Sequence, residues 1–277
     1  MAAFRRDCRV QRGCATTRAG VTAAGLAGGL LMRTVMAVVW TNRRQSCAIT
    51  PTFAVEGATG RRSADTASAD MPPLPSPGVD QLCDEYLRLE AFYAAHGDRP
   101  ATVRVLEWEL ECPTPASALA FLDYIACRRM NDFKTSEAVP VILDCGANIG
   151  YTALWYKRLY PAAQVVAFEP DPVFAPMLRR NLARNGAGDV TVVAAAAWTA
   201  DGDAAWLTQD VDGSRLADAG ATGATTVATV DLARILRDFA RIDLLKIDIE
   251  GAEYALLPHL AEALAYRGET MRQKEAA

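Results

Sequence analysis

The sequence predicts an α/β fold in which a mainly parallel sheet is covered by helices on both sides. From residue 139 onward, apolar runs of strand length alternate with segments of helical periodicity. The runs are apolar at nearly every position, which is typical of parallel strands buried on both faces. Glycines and acidic residues follow directly where several of these runs end.

Composition limits the class of protein. The chain has 277 residues, 51% hydrophobic and 22% charged, which excludes collagen, low-complexity fibre and disorder over the full length. Residues 1–79 contain ten Arg, four acidic residues and no Lys, whereas the whole chain has a net charge of −4. The rest of the chain is therefore acidic. This argues against a nucleic-acid-binding surface, because neutralising phosphates requires clustered Lys and Arg.

Residues 1–79 are predicted to form an N-terminal extension. The proline-rich run Met71–Gly78 is typical of a linker, because proline supports neither a helix interior nor a sheet ladder. Gly20–Trp40 is mostly apolar but contains Arg33, which is costly at bilayer depth. Two interpretations stay open. Either the extension is disordered and the protein cytoplasmic, or residues 1–40 anchor the chain to a membrane or target it to an organelle.

Cysteine and histidine usage argues against three other kinds of site. Seven cysteines without a CxxC pair favour a reducing compartment over a disulfide scaffold. The two histidines, His96 and His259, lie outside any metal or catalytic-triad motif, so we expect neither chemistry. Cys145 is expected to be a packed thiol and not a nucleophile.

Residues 80–138 are predicted to be an entry region that precedes the main domain. Helical periodicity covers Gln81–Ala95, and alternation over Thr102–Cys112 predicts a strand or hairpin. A second helix is predicted over Ser117–Asn131, with Ser117 as its N-cap.

Residues 139–277 are predicted to hold the parallel sheet. The predicted strands are Val139–Leu143, Gln164–Phe168, Val190–Ala197 and Ile242–Ile249, and a hairpin pair is expected at Trp206–Thr208 and Thr225–Val230. The predicted helices are Tyr151–Tyr160, Val173–Asn185, Asp231–Phe239 and Ala252–Ala265. Ligands of such sheets bind beyond the carboxyl ends of the strands, and we therefore expect the site there.

The loop after the first of these strands is the sharpest chemical signal. Gly146 and Gly150 permit a tight turn and a close ligand approach. Glu169 ends the next strand, and its carboxylate is suited to accept both hydroxyls of a ribose. A dinucleotide fingerprint needs a glycine where this loop has Asn148. Asp144 would repel a pyrophosphate, whereas it suits the cationic sulfonium and ammonium groups of S-adenosylmethionine. An NAD(P)-dependent oxidoreductase stays open as the weaker alternative.

Three blocks in the sequence resemble those of the FkbM-type S-adenosylmethionine-dependent methyltransferases. They are Val141-Ile-Leu-Asp-Cys-Gly-Ala-Asn-Ile-Gly150, Val166-Ala-Phe-Glu-Pro170 and Asp243-Leu-Leu-Lys-Ile-Asp-Ile-Glu-Gly-Ala-Glu253. Gly213-Ser214 and Val230-Asp231-Leu232 stand at the places of weaker family features, and the resemblance covers roughly residues 102–260. It implies a Rossmann-like, three-layer class I domain that methylates a hydroxyl on a sugar, a polyketide or a similar small metabolite.

The resemblance also implies roles for individual residues. The methionine end of the cofactor would be lined by Asp144, Gly146, Asn148 and Gly150. Cys145 and Pro170, which stand in the same sequence blocks, would also belong to the cofactor-binding residues. Glu169 would hold the ribose, and Asp248 would lie beside the reacting centre. Trp198 would stack on adenine or the sulfonium, or else be a buried aromatic.

Two carboxylates are candidates for the catalytic work. Asp248 and Glu250 could orient or deprotonate the acceptor hydroxyl, or they could instead cap the following helix. Lys246 could pair with either of them.

The chain departs from the family pattern after the fourth strand. Class I sheets normally have the order 3-2-1-4-5-7-6, and no further apolar run follows Leu260. We therefore expect a truncated domain in which Ile242–Ile249 is an exposed edge strand, prone to self-association. A catalytically inactive, donor-binding remnant is the alternative to a working enzyme.

Overall fold

The computed structural model describes residues 35–39, 52–53, 77–208, 215–217, 221–250 and 252–261. Most of the predicted extension, Gly213-Ser214, Gly251 and residues 262–277, which include the predicted end of the last helix at Ala265, lie outside these residues. Among the described helices, none has the length and apolar character needed to cross a membrane.

The described elements follow the predicted alternation closely. The strands are β1 Val35–Val39, β2 Thr52–Phe53, β3 Ala101–Val105, β4 Trp108–Cys112, β5 Val141–Cys145, β6 Gln164–Phe168, β7 Thr191–Val193, β8 Ala196–Trp198, β9 Gly202–Leu207, β10 Arg215–Ala217, β11 Thr225–Asp231 and β12 Leu244–Ile247. The helices are α1 Val79–His96, α2 Pro115–Phe121, α3 Tyr151–Leu159, α4 Phe174–Arg184, α5 Leu232–Asp238 and α6, residues 253–261. The predicted elements are confirmed to within a few residues at their ends, apart from the differences given below.

A six-stranded sheet with the order β2-β1-β12-β5-β6-β7 organises the main domain. All its neighbouring strands are parallel except β2, which is antiparallel to β1. Successive residues of β5 point to opposite faces: Ile142 lies in the apolar cluster that includes α3 and α4, and Leu143 lies in the one that includes α5 and α6. The predicted α/β fold with helices on both faces of a mainly parallel sheet is therefore confirmed.

The prediction that the fourth strand is an exposed edge is wrong. β12 lies between β5 and β1, with Val38 opposite Lys246 and Val39 opposite Ile247. The neighbour of β12 was expected after Leu260, whereas it comes from the alanine- and glycine-rich N-terminal region, where composition predicted no strand. Self-association stays a prediction, but it no longer has an unpaired β12 to support it.

The third apolar run does not form one strand as predicted. It divides into β7, which extends the main sheet, and β8, which pairs with β11 in a second sheet of order β10-β9-β11-β8. The predicted hairpin pair is confirmed in that second sheet, where Thr225 lies opposite Trp206.

The entry region packs against the main domain through a hairpin and two asparagines. β3 and β4 form the hairpin, and Asn181 of α4 and Asn185, the residue that follows α4, bind the free edge of β4. The Asn181 Oδ1 accepts the Glu111 N–H at 2.8 Å, and its Nδ2 donates to the Glu111 carbonyl at 2.9 Å. Asn185 makes the same pair of bonds to Glu109. Two side chains thus satisfy backbone groups that a neighbouring strand would otherwise bind.

The predicted N-cap of the second helix is wrong. α2 begins at Pro115 with Thr114 as N-cap residue, and it continues as a π-helix over Leu122–Cys127. The φ of proline is already suited to a first helical turn, so the helix begins before Ser117.

Candidate functional site

The carboxyl ends of β5, β6 and β12 meet at one edge of the sheet. The N–H groups of Gly146 and Ala147 both donate to the Phe168 carbonyl at 3.0 Å, and the Asp248 N–H donates to the Cys145 carbonyl at 3.1 Å. The loops after these three strands, which the sequence predicted as the site, are therefore in direct contact.

The loop after β5 depends on glycine at two positions. Gly146 has φ +79, and a Cβ there would lie 1.8 Å from the Asp248 carbonyl oxygen. Gly150 has φ +104, and a Cβ there would lie 2.9 Å from a methyl group of Leu178. Asn148 also has positive φ, +50, and asparagine tolerates this region better than most residues do. The two glycines thus allow the loop to turn tightly and to pack directly against the Asp248 backbone and the Leu178 side chain.

Glu169 binds this loop with its side chain. Its Oε2 accepts the Asn148 N–H at 2.7 Å, and its Oε1 accepts the Asp171 N–H at 2.9 Å. Burial raises the pKa of Glu169 to about 7, although both backbone hydrogen bonds act to lower the pKa. Because each carboxylate oxygen can accept more than one hydrogen bond, Glu169 has acceptor capacity left for two hydroxyls.

Asp144 lies beneath the loop and not on its surface. It is fully buried, its Oδ1 lies 3.0 Å from the Lys246 Nζ, and its Oδ2 accepts from the Thr152 hydroxyl. Its charge is therefore balanced within the protein. This corrects the electrostatic argument from the sequence, in which Asp144 faced a cationic ligand, because sequence alone left the pairing of Lys246 undecided.

Lys246 connects the loop to the segment after β12. It is 2% exposed, its Nζ donates to the Gly146 carbonyl at 2.7 Å, and the same Nζ lies 3.8 Å from the Asp248 Oδ2. Nearby carboxylates, Asp144 foremost, raise its pKa against the opposing effect of burial. The expected pairing of Lys246 with Asp248 is present at 3.8 Å, but Asp144, which was not expected as a partner, lies nearer at 3.0 Å. The Asp248 side chain is 38% exposed and is therefore accessible from solvent.

The segment after Asp248 turns sharply towards α6. Glu250 is half-buried and has φ +52. Glu253 is 1% exposed, and its Oε1 accepts the Ile249 N–H at 2.9 Å. A backbone hydrogen bond of this kind at the start of the helix was considered for Asp248 and Glu250, and Glu253, for which no role was predicted, makes one.

The remaining predicted site residues are among those that the structure describes, and their side chains make no hydrogen bond to the glycine loop. Cys145 is fully buried, and burial raises its thiol pKa, which confirms a packed thiol. Pro170 is half-buried beside Glu169. Trp198, also half-buried, ends β8 in the second sheet opposite Asp231, so its stacking on a ligand stays a prediction.

Asp171 is a further buried acid that sequence analysis missed. Its Oδ1 accepts the Val173 N–H at 2.8 Å at the start of α4, and its Oδ2 accepts from the Trp206 indole at 2.8 Å. An Asp followed directly by proline, as in Asp171-Pro172, is a known helix-start signal and could have revealed it.

The described histidines make no hydrogen bond to the glycine loop. His259 Nε2 lies 2.9 Å from the Asp231 Oδ1, away from the glycine loop. The described residues contain no group of three or more His, Cys, Asp and Glu side chains placed to hold a metal ion.

Comparison with known proteins gives related methyltransferases. The methyltransferase FkbM domain family matches residues 144–273. Methyltransferase sdnD of Sordaria araneosa is 34% identical over 167 residues, which is 47% of this chain and 64% of that protein. The chain thus spans less than two thirds of this relative's length.

Two solved structures are also similar to parts of the chain. Coclaurine N-methyltransferase bound to N-methylheliamine and SAH matches with a TM-score of 0.23 and 14% identity, over 44% of this chain and 39% of that one. A protein-L-isoaspartate O-methyltransferase matches with a TM-score of 0.22 and 16% identity, over 40% and 41%.

The family model and the curated relative are both methyltransferases, and this chain is similar to that class of protein. Residues 144–273 match the FkbM family in particular, and the resemblance inferred from the three sequence blocks is confirmed.

Proposed function

We propose that this protein binds S-adenosylmethionine at the β5–β6–β12 edge and transfers its methyl group to a hydroxyl oxygen of a small metabolite such as a sugar or a polyketide. The observation that carries the proposal is the arrangement of Glu169 against the glycine loop. A buried acceptor with spare lone pairs lies beside a tight backbone turn at the carboxyl ends of the strands, where ligands of such sheets bind. S-adenosylmethionine would supply a methyl group already activated on sulfur.

The same loop argues against a dinucleotide. A pyrophosphate needs free backbone N–H groups and a glycine at the middle position. Here the middle position is Asn148, whose N–H already donates to Glu169. The loop is therefore arranged for a carboxylate that binds hydroxyls and not for a phosphate group.

Asp248 is the proposed catalytic residue for the acceptor hydroxyl. Its side chain is partly exposed, and it follows the strand that carries Lys246. Methyl transfer needs an acceptor oxygen held in line with the S–CH₃ bond and relieved of its proton, and a carboxylate at this position can bind that proton. Glu250, two residues later, is the second candidate for this role.

Two measurements test the proposal in order. Isothermal titration with S-adenosylhomocysteine (SAH) tests donor binding, and transfer of a labelled methyl group to a panel of sugar and polyketide alcohols tests catalysis. We expect Asp248→Asn to bind SAH as the wild type does and to lose about 100-fold or more in transfer rate. Absence of SAH binding at millimolar ligand would contradict the proposal. If the protein binds SAH but transfers no methyl group to any acceptor, the inactive donor-binding alternative is favoured. If it binds NADH, the oxidoreductase alternative is favoured.

A further inference from the structure

The ammonium group of Lys246 lies where three parts of the proposed donor site meet. In the sheet, Lys246 is directly opposite Asp144 on the neighbouring strand. Its Nζ lies 2.7 Å from the Gly146 carbonyl oxygen, 3.0 Å from Asp144 and 3.8 Å from Asp248. One buried cation thus contacts the glycine loop, the strand beneath it and the segment proposed to hold the acceptor.

Neutralising Asp144 alone does not account for all of these contacts. A buried lysine paired with one carboxylate satisfies the charge, yet here a further N–H bond goes to the loop carbonyl. The segments are also in van der Waals contact, because Gly146 leaves no space for a Cβ beside the Asp248 carbonyl. The Lys246 ammonium is therefore bound to both segments at the place where they touch.

We infer that Lys246 is a positioning residue of the methyl-transfer site: its ammonium fixes the glycine loop and the Asp248 carboxylate relative to each other and partly screens the Asp248 charge. This inference rests on the proposed function for its catalytic meaning, but the positioning itself is a property of the protein without ligand. If Lys246 served only to neutralise Asp144, its removal together with Asp144 would change neither the hydrogen exchange of the glycine loop nor the charge that Asp248 presents to a ligand.

The test requires a variant that removes the lysine without leaving a buried charge. Lys246→Met alone would leave Asp144 unpaired in the core, and this is strongly destabilising. The double variant Asp144→Asn/Lys246→Met removes both charges and keeps an acceptor for Thr152. Lys157→Met is the matched control, because the Lys157 Nζ also contacts a carbonyl, that of Ala163, and a carboxylate, that of Asp189, away from the loop.

The first measurement is amide hydrogen exchange without ligand, followed by mass spectrometry. We expect faster exchange in the double variant within residues 146–150 and 248–253, with the rest of the main sheet unchanged, and no change in these segments for Lys157→Met. Wild-type exchange in both segments of the folded double variant would overturn the inference and leave Lys246 with a neutralising role only. If the double variant does not fold, Lys246→Arg is measured in its place, because it keeps the positive charge but replaces the ammonium by a guanidinium. Unaltered exchange at the loop in that variant would overturn the inference equally.

The second measurement compares the affinities of S-adenosylmethionine and SAH. We expect SAH affinity to fall about tenfold in the double variant, the size of one charge-assisted hydrogen bond. Compared with Asp144→Asn alone, the double variant lacks only the ammonium beside Asp248. The Asp248 carboxylate should then favour the positively charged sulfonium, and the ratio of S-adenosylmethionine to SAH affinity should rise about fivefold. Adding Asp248→Asn should abolish that rise. An unchanged ratio would contradict the inference that Lys246 screens the Asp248 charge. Failure of the wild type to bind SAH would instead refute the proposed function. The hydrogen-exchange result would then decide alone whether Lys246 positions the loop.

Discussion

The titration of Glu169 should make nucleoside binding depend on pH in a range where few carboxylates respond. Burial raises the pKa of Glu169 to about 7, and the ionised form is the better acceptor for the two ribose hydroxyls. With that pKa, about one tenth of the protein has an ionised Glu169 at pH 6 and about nine tenths at pH 8. If the ionised form binds, the apparent Kd should be about tenfold weaker at pH 6 than at pH 8.

The assay is isothermal titration with 5′-methylthioadenosine, which has the ribose but lacks the amino-acid groups of SAH. Glu169→Gln is the control variant, since its amide does not titrate, and it should bind more weakly at pH 8 with little change between the two pH values. A wild-type Kd that is equal at pH 6 and pH 8 would refute the reasoning. The same pH dependence in Glu169→Gln would assign the titration to another group.

The same shift has a consequence for stability. Because the folded pKa of Glu169 lies above the ordinary value of 4.5, the folded state holds the proton more tightly than the unfolded state does. The stability contributed by the protonated form is therefore complete below about pH 4.5 and is lost as pH rises to about 7, with a total change of about 3 kcal/mol. Denaturant unfolding at pH 5 and pH 8, compared between wild type and Glu169→Gln, isolates this contribution. An identical pH dependence in the two proteins would contradict it.

Three further predictions concern the loop, the hairpin and the sheet. Gly146→Ala should abolish SAH binding and destabilise the fold by several kcal/mol, about 3 or more, because its Cβ would collide with the Asp248 backbone; wild-type binding in a titration would contradict this. Asn181→Ala should cost about 2–4 kcal/mol in urea unfolding, since it leaves the Glu111 backbone groups unpaired. The exposed Arg180→Ala should have a much smaller effect, and equal losses would refute the distinction. Deleting residues 1–76 removes β1 and β2 and should expose β12, so we expect association of the shortened protein in light scattering; a stable monomer would show that β12 needs no such neighbour.

Local sequence signals were sufficient to locate the candidate site. The rule that ligands bind at the carboxyl ends of parallel strands singled out the glycine loop, Glu169 and Asp248, and the structure brings all three to one edge. The helices and the apolar strands were also predictable, because their periodicity is a property of neighbouring residues.

What could not be predicted depends on contacts between residues distant in sequence. The pairing of Asp144 with Lys246 follows from the register of β5 and β12, which no local pattern gives. The division of Val190–Ala197 between two sheets, and the binding of the β4 edge by Asn181 and Asn185, likewise depend on which elements become neighbours. The strand β1 was missed because composition predicted disorder where the sheet accepts an additional strand.

The central claim is that Glu169 and the glycine loop hold the nucleoside of a methyl donor. A crystal structure of the protein with SAH tests it most directly. We predict both ribose hydroxyls within hydrogen-bonding distance of the Glu169 carboxylate and the thioether sulfur facing Asp248. A ligand bound elsewhere, or a ribose that does not contact Glu169, would contradict the claim.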